Sequence, residues 1–406
     1  MGLRIDDSLR RALRTGLLTY LASRVLVLLG VGLVAIARTQ EDARNGLHRI
    51  GTHHHIRDVL SAWDGMWNIE LIRHGYPTSV PADITYFEPE ARAAFFPVFP
   101  AIARAVDVVI PGGPATAAIV LNLVLGAVAV VMIGLVARAV AGSDRGGAIA
   151  DDGDRVAATT MVIAALFPGS FVLSMVYSEA LMITLAGITL VALIRRHWWL
   201  AAIAGTLATA TRPNGLGVVL AGLATVWVVR HDASARWRAG LATAVMPLGF
   251  LGAIAWIGSR AGERRVWFRV QSEAWDEGVS FGLSTLRFIA EWMVAPLGSP
   301  TRALTAASVA VIVIGLVAAR RVRLDLAVTA YTLGVVVLML TPATVTARPR
   351  FVFAAFGLLI AIAVWWVRNG PSDPARRRSV ELVVIGASSA GLVMVTGIYG
   401  LLGAIP

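Results

Sequence analysis

Cysteine is absent from the 406 residues, and so is lysine. Without cysteine the chain has no disulfide, no thiolate metal site and no cysteine nucleophile. Without lysine, the formal net charge of +11 and the pI near 11.1 are carried by arginine. Abundant alanine, valine and glycine beside that arginine read as GC-rich coding, so the basic balance does not call for a nucleic-acid partner. Charge itself is scarce: 15% of residues are charged against 57% hydrophobic, and the mean hydropathy is +0.72. Such a composition excludes a soluble globule. No glycine-rich phosphate loop is present to hold a nucleotide, and no internal repeat or sizeable soluble domain is visible.

Apolar runs of around 20 residues instead describe an all-α polytopic membrane protein, with about eleven transmembrane helices in a single domain over 1–406. The runs are 15–37, 116–140, 156–176, 179–195, 198–212, 215–230, 239–258, 301–319, 325–341, 351–367 and 380–402. The first is preceded by Arg10, Arg11 and Arg14, as in a signal peptide. It is too long for a signal core and has no clear small-residue cleavage site, so it reads as a retained anchor. Arginines then orient the chain. The N-terminal tail, Arg195-Arg196, Arg230 to Arg238, Arg320 to Arg323 and Arg368 to Arg378 fall on one side, expected to be the cytoplasm. The first extracytoplasmic loop, 38–114, carries six arginines against eight carboxylates over residues 38–94.

Three stretches do not read as simple spans. Phe95 to Ile110 is apolar but ends at Pro111-Gly112-Gly113-Pro114; if it crossed, every later arginine cluster would change sides, so it is expected to be interfacial or re-entrant. The 198–230 region is broken by Arg212-Pro213-Asn214-Gly215 into two half-spans meeting at a polar turn, tolerated at depth only where it lines a cavity or is buried in protein. Residues 281–297 are apolar but short and read as lying along the outer surface.

The loop stretch Ser61 to Pro77 is the most informative. Read as a helix, it sets Ser61, Asp64 and Asn68 on one face and Trp63, Trp67 and Leu71 on a neighbouring stripe, with Gly75 as its stop. This is an outer-face amphipathic helix, whose plain reading leaves Asp64 facing water. Other polar residues gather at the same membrane face: His74, the Tyr177-Ser178-Glu179 hairpin, Arg212 and Asn214, Arg260, Arg264, Arg265, and Arg348 with Arg350. Singly, each arginine reads as a lipid-phosphate contact, and Glu179 as its structural partner. As a set beside broken helices, they point to a site handling a phosphate and an ionisable proton.

These residues also carry a resemblance. Trp63-Asp64-Gly65-Met66-Trp67 followed by His74-Gly75-Tyr76 resembles the W-D-x-x-[WFY]…x-G-Y signature of the PIG-V-type mannosyltransferases. Phe95-Phe96-Pro97-Val98-Phe99-Pro100 is similar to that family's F-F-P-L-[YF]-P segment, and Phe167 to Phe171 with Tyr177-Ser178-Glu179 to its P-x-S-x-F…Y-[ST]-E block. Thr211 to Gly215 is similar to its [TS]-R-[SP]-N-G turn, and Arg348-Pro349-Arg350-Phe351 to a late P-R-[FY] motif. The five matches keep their order over residues 63–351, nearly three-quarters of the chain; beyond 351 no distinctive motif follows.

The resemblance implies a GT-C-type glycosyltransferase acting at the extracytoplasmic face on a polyprenyl-phosphate sugar, most simply polyprenyl-phosphomannose, with inversion at the anomeric carbon. A lipid-phosphate leaving group departs without protonation, so no cofactor and no metal are expected. The attacking hydroxyl needs a base, for which Asp64 is suited. Arg350, Arg212, Arg348, Arg264 and Arg265 are candidates for the donor phosphate, arginine's fork matching phosphate oxygens. Asn68, His74, Tyr76, Tyr177, Glu179, Asn214, Trp63 and Trp67 are candidate substrate contacts. The acceptor is expected to be a glycolipid or cell-envelope glycan.

Five of the seven histidines, His48, His53, His54, His55 and His74, lie in the first outer loop. A metal on the consecutive triplet is disfavoured, because three successive side chains rarely converge on one ion; a solvated loop tract is the reading adopted. Two rivals stay open. A transporter or flippase for a polyprenyl-linked sugar or lipid shares broken helices and buried arginines, and the same architecture can use a different polyprenyl-phosphate sugar.

Overall fold

A computed structural model describes residues 7–45, 51–143, 150–344 and 346–401. Among them the only extended pairing is an isolated bridge between Val279 and Pro342; the rest is helix and loop. The first helix, α1 (Asp7–Arg44), is followed by α2 (Thr52–Leu60), α3 (Asp64–His74), a 3-10 turn at Pro89–Ala94, α4 (Val98–Asp107), α5 (Gly113–Ser143) and α6 (Ala150–Leu166). A 3-10 turn at Pro168–Ser174 leads to α7 (Glu179–Ile194) and α8 (Trp198–Thr209), and another at Pro213–Leu216 to α9 (Gly217–Val228). Then come α10 (Ala233–Val245), α11 (Pro247–Ala261), α12 (Val266–Glu273), α13 (Leu283–Val294), α14 (Pro300–Val322), α15 (Leu326–Leu340), α16 (Pro349–Ala354), α17 (Gly357–Asn369) and α18 (Pro374–Leu401).

Each of the eleven apolar runs contains helix. Five segments are long and apolar enough to cross a bilayer: Asp7–Arg44, Gly113–Gly142, Ala233–Ala261, Pro300–Val322 and Pro374–Leu401. A sixth, α6 with the turn after it, bends by 78° at Phe167-Pro168, where proline removes a donor and the preceding residue turns extended. The remaining apolar helices are shorter, from 12 to 16 residues. They pack on their neighbours, α7 against α5 and α8, and α15 against α9, while α8, α9 and α15 keep exposed apolar faces. Exposed leucines run down one side of α1, from Leu17 and Leu21 to Leu28, Leu29 and Leu33. An apolar stripe of that length facing outward fits lipid, not water.

The segment between α1 and α5 differs from its expected form. In α3 the stripe residues Trp67 and Leu71 are buried against protein and not laid on a membrane surface, and Asn68, Ile69 and Ile72 are buried with them. The reason is that three apolar clusters meet there. Trp67 joins one with Phe96, Ile257 and Val270; Ile69 and Ile72 join a second with Phe99 and Val176; Trp63 packs on the main core. Helix α4 buries Phe99, Pro100 and Ala103 while Val108 and Val109 beyond it are exposed, so Phe95 to Ile110 forms no straight span. Helix α13 buries only Thr285 and is otherwise peripheral.

Candidate active site

The helix carrying Asp64 begins later than its pattern implied. Trp63 sits at the N-cap with φ 57°, a left-handed conformation that bulky side chains rarely adopt and that costs on the order of 1–3 kcal/mol. Ser61 therefore lies outside α3, and its hydroxyl donates to the Arg57 carbonyl at the end of α2. Asp64 and Asn68 do share a face and line one cavity, whereas Ser61 and Trp63 open on a separate groove.

Backbone stitching holds this segment in place. Val176 N donates to the Leu60 carbonyl at 3.0 Å, and Asn68 Nδ2 donates to the Val176 carbonyl at 3.0 Å. Asn122 of α5 reaches the neighbouring carbonyls of Met175 and Tyr177. The stretch before Glu179 is thereby locked between two helices. Gly169 brings the late arginines to the same place: a Cβ there would stand 2.1 Å from the Pro349 carbonyl oxygen, a contact no side chain tolerates. Gly215 likewise lets the Arg212 turn close on Ala208, whose carbonyl a Cβ would meet at 2.2 Å.

What these contacts assemble is an alternating charge cluster. Arg350 Nη1 donates to Asp64 Oδ2 at 2.9 Å and stands 3.9 Å from Glu179 Oε1. Arg212 Nη1 donates to Glu179 Oε2 at 2.9 Å and to Ser178 Oγ at 3.2 Å, and lies 3.9 Å from Asp64 Oδ2. The Glu179 side chain is 1% exposed and that of Asp64 16% exposed, so of the two carboxylates Asp64 is the one that reaches open space. Burial works against the Arg350 charge, but Asp64, Tyr177 and Glu179 outweigh it and raise the guanidinium above its usual value. Burial, helped by Arg350, lowers Arg348 to about 10, still charged at neutral pH. Among the described residues, Nε of both Arg348 and Arg350 is a buried donor with no hydrogen-bond partner. Asp64 and Glu179 face Arg212 and Arg350, and Glu277, which also lines the cavity, acts on Arg348, so three carboxylates balance three arginines.

A cavity of about 360 Å³ opens over this cluster. Segments from all five sequence motifs reach it: Asp64 and Asn68, Phe95 and Phe96, Ser178, Arg212 with Asn214, and Arg350 with Phe351. Other predicted contacts lie elsewhere. Tyr177 lies beneath Arg350, whose guanidinium carbon is 5.3 Å from the ring centroid. Trp67 is buried against Tyr86 and Trp275. Tyr76 donates to the Phe95 carbonyl and so positions the cavity wall. His74 is exposed and sits 3.7 Å from Glu70, away from the cavity. Arg264 and Arg265 are exposed, Arg264 at a lateral groove beside Phe250 and Leu251.

The histidine triplet is not a loop tract. His53 to His55 belong to α2, and His55 is buried with Nε2 2.8 Å from Asp42 Oδ2; helical periodicity turns one of three successive residues inward. His48 lies outside the described residues. No group of three or more His, Asp or Glu side chains arranged to hold a metal occurs among the described residues.

Several contributors carry no motif. The cavity is also lined by Trp267, Gln271, Trp275 and Glu277. Tyr399 of α18 donates to the Ala62 carbonyl at 2.9 Å and lies 3.0 Å from the Tyr177 hydroxyl. Arg24, buried within α1, donates to the Ser170 carbonyl and to the hydroxyls of Ser170 and Ser174, supporting the bent turn. An arginine inside the first apolar run was the one available signal for it.

No protein-family model and no curated protein matches the chain. Solved structures with some likeness are those of the Archaeoglobus fulgidus oligosaccharyltransferase. Its apo form aligns at TM-score 0.48 and 12% identity, covering 92% of this chain and 55% of that one. The form with an inhibitory peptide and a dolichol-phosphate aligns at 0.45 and 12%, covering 82% and 51%. The form tethered to an acceptor peptide aligns at 0.43 and 11%, covering 82% and 50%. The chain thus spans about half the length of these structures.

Proposed function

We propose that this protein is a multi-pass membrane glycosyltransferase of the GT-C type. It transfers mannose from polyprenyl-phosphomannose to an acceptor hydroxyl at the extracytoplasmic face. The observation that carries this reading is the Asp64–Arg350–Glu179–Arg212 cluster at the base of the cavity where the five motifs meet. In the reaction, the acceptor oxygen attacks the anomeric carbon while the bond from that carbon to the phosphate oxygen breaks. The electron pair leaves with the lipid phosphate, and the acceptor proton passes to Asp64. The attack comes from the side opposite the leaving group, so the anomeric centre inverts.

The division of labour follows from access and charge. Asp64 reaches the cavity, whereas Glu179 is covered by both arginines and serves to hold them. The guanidinium groups of Arg212 and Arg350 at the cavity, with the unpartnered Nε donors of Arg348 and Arg350, suit an incoming phosphate and the additional charge it gains on departure. No metal enters this scheme. The acceptor class, a glycolipid or cell-envelope glycan, rests on the extracytoplasmic placement expected from arginine distribution.

The test is incubation of the purified protein with labelled polyprenyl-phosphomannose and envelope lipid extract, followed by separation of products. A mannosylated product that depends on the protein is expected. Saturable movement of the lipid across vesicles without bond cleavage would replace the enzyme with a transporter. Transfer from polyprenyl-phosphoarabinose alone would keep the enzyme and change its sugar.

A further inference from the structure

The cavity lining joins the charged Asp64, Arg212 and Arg350 to Trp267, Gln271 and Trp275, none of which belongs to a motif or to the charge cluster. From this juxtaposition we infer that Trp267, Gln271 and Trp275 form a stacking platform for an uncharged pyranose, with Trp275 under the ring and Gln271 at its hydroxyls. The inference rests on the glycosyl-transfer reading and names the part of that site that recognises a neutral sugar ring.

Trp275 is built as a platform. Its indole meets Trp67, Tyr86 and Phe95 at centroid distances of 6.0, 5.3 and 5.8 Å, each at a steep angle. Three aromatic neighbours crossing it steeply leave little freedom to rotate. Gln271 Nε2 donates to the Ala94 carbonyl at 3.3 Å, and Trp267 Nε1 donates to the same oxygen at 3.0 Å. With its amide nitrogen so engaged, the Gln271 oxygen is the atom free to accept from a sugar hydroxyl.

The platform is also latched to the arginine side. Glu277 accepts from the backbone N–H groups of Ala343 and Thr344 at 2.9 and 3.1 Å and from the Thr344 hydroxyl at 2.6 Å. Ser280 N donates to the Thr341 carbonyl at 2.8 Å and Ala343 N to the Gly278 carbonyl at 2.9 Å. These bonds tie the turn after α12 to the loop leading to Arg348 and Arg350. The platform and the arginine-bearing loop are therefore tied to one another, and a ring bound in the cavity meets a preorganised site. A flat aromatic face recognises the apolar C–H face of a pyranose, and a neutral amide recognises hydroxyls without selecting for charge. Glu277 beside them disfavours a uronic acid.

The test is ligand-observed saturation-transfer NMR on the purified protein, with methyl α-mannopyranoside, methyl α-glucopyranoside and methyl glucuronoside as probes. Binding is compared among the native protein, Trp275→Tyr and Trp275→Leu, each verified as folded by thermal unfolding. Tyrosine keeps a flat face and leucine keeps only bulk. Expected is saturable binding of the neutral methyl pyranosides that survives in W275Y and weakens about tenfold in W275L, the loss for a stacked apolar face returned to water. Equal binding in the two variants, or binding of the glucuronoside alone, would overturn the platform and place recognition at the arginines. If W275L does not fold, Gln271→Ala replaces it, and unchanged affinity there overturns the hydroxyl contact. The readout is binding, so the platform can fail while mannosyl transfer stands, and the reverse.

Discussion

Replacing Asp64 by asparagine keeps the size and one hydrogen-bond acceptor for Arg350 while removing the basicity. The structural penalty is modest. A charge-assisted bond to Arg350 becomes a neutral one, a difference of about 1–2 kcal/mol, and Glu179 at 3.9 Å still compensates the buried guanidinium. The chemical penalty is larger, because loss of a general base lowers turnover by on the order of 10²–10⁴, equivalent to about 2.7–5.4 kcal/mol of barrier. The two effects separate in one preparation. Thermal unfolding of the D64N protein should shift by only a few degrees, and donor binding should stay near that of the native protein, while product formation with labelled polyprenyl-phosphomannose falls to the assay floor. Glu179→Gln serves as the comparison, since it removes the buried carboxylate that holds Arg212 at 2.9 Å. Substantial turnover in D64N, with E179Q folded and inactive, would refute the reasoning and move the base to Glu179.

Arg350→Ala and Arg212→Ala should each raise the donor concentration needed for half-maximal rate or abolish turnover, since a lost charged hydrogen bond is worth on the order of 1.5–3 kcal/mol; near-native donor kinetics in both would relocate the phosphate site. Arg264→Ala, at the lateral groove, should leave donor kinetics closer to native in the same assay. Tyr399→Phe removes the donor to the Ala62 carbonyl, costing about 1 kcal/mol, and should lower kcat several-fold with KM little changed, because the strained Trp63 turn that aims Asp64 is loosened. Arg24→Met should lower the unfolding midpoint by leaving the Ser170 carbonyl and two serine hydroxyls without their donor, at about 1–3 kcal/mol per buried group left unsatisfied. Single cysteines at the exposed Ser79 and Thr344, introduced into this cysteine-free chain, should both react with an impermeant maleimide added outside the cell; labelling only from the cytoplasm would put the cluster on the wrong face for the proposed donor.

The sequence by itself determined the all-helical membrane class and the helix break at Arg212-Pro213, whereas the run 156–176, expected as one span, is bent by 78° at Phe167-Pro168. Both readings follow from local causes: uninterrupted apolar runs must close their own backbone hydrogen bonds in lipid, and Arg212-Pro213 cannot continue a helix. It also singled out Asp64, Glu179, Arg212 and Arg350 as polar residues out of keeping with their surroundings. Tertiary structure alone decided which of them touch. The arginine cluster forms because Gly169 admits the Pro349 backbone and Asn122 pins the loop before Glu179, contacts between residues as much as 180 positions apart. The same long-range packing overrode the local helix pattern at Ser61 and Trp63, where Tyr399 and Val176 hold the chain in a turn that periodicity does not encode. It turned His55 inward onto Asp42 and left His74 and Arg265 outside. It also recruited Trp267, Gln271 and Trp275, which look in sequence like ordinary interfacial residues, because membership of a cavity lining is a property of how α12 packs on the Pro89–Ala94 turn and not of any spacing along the chain.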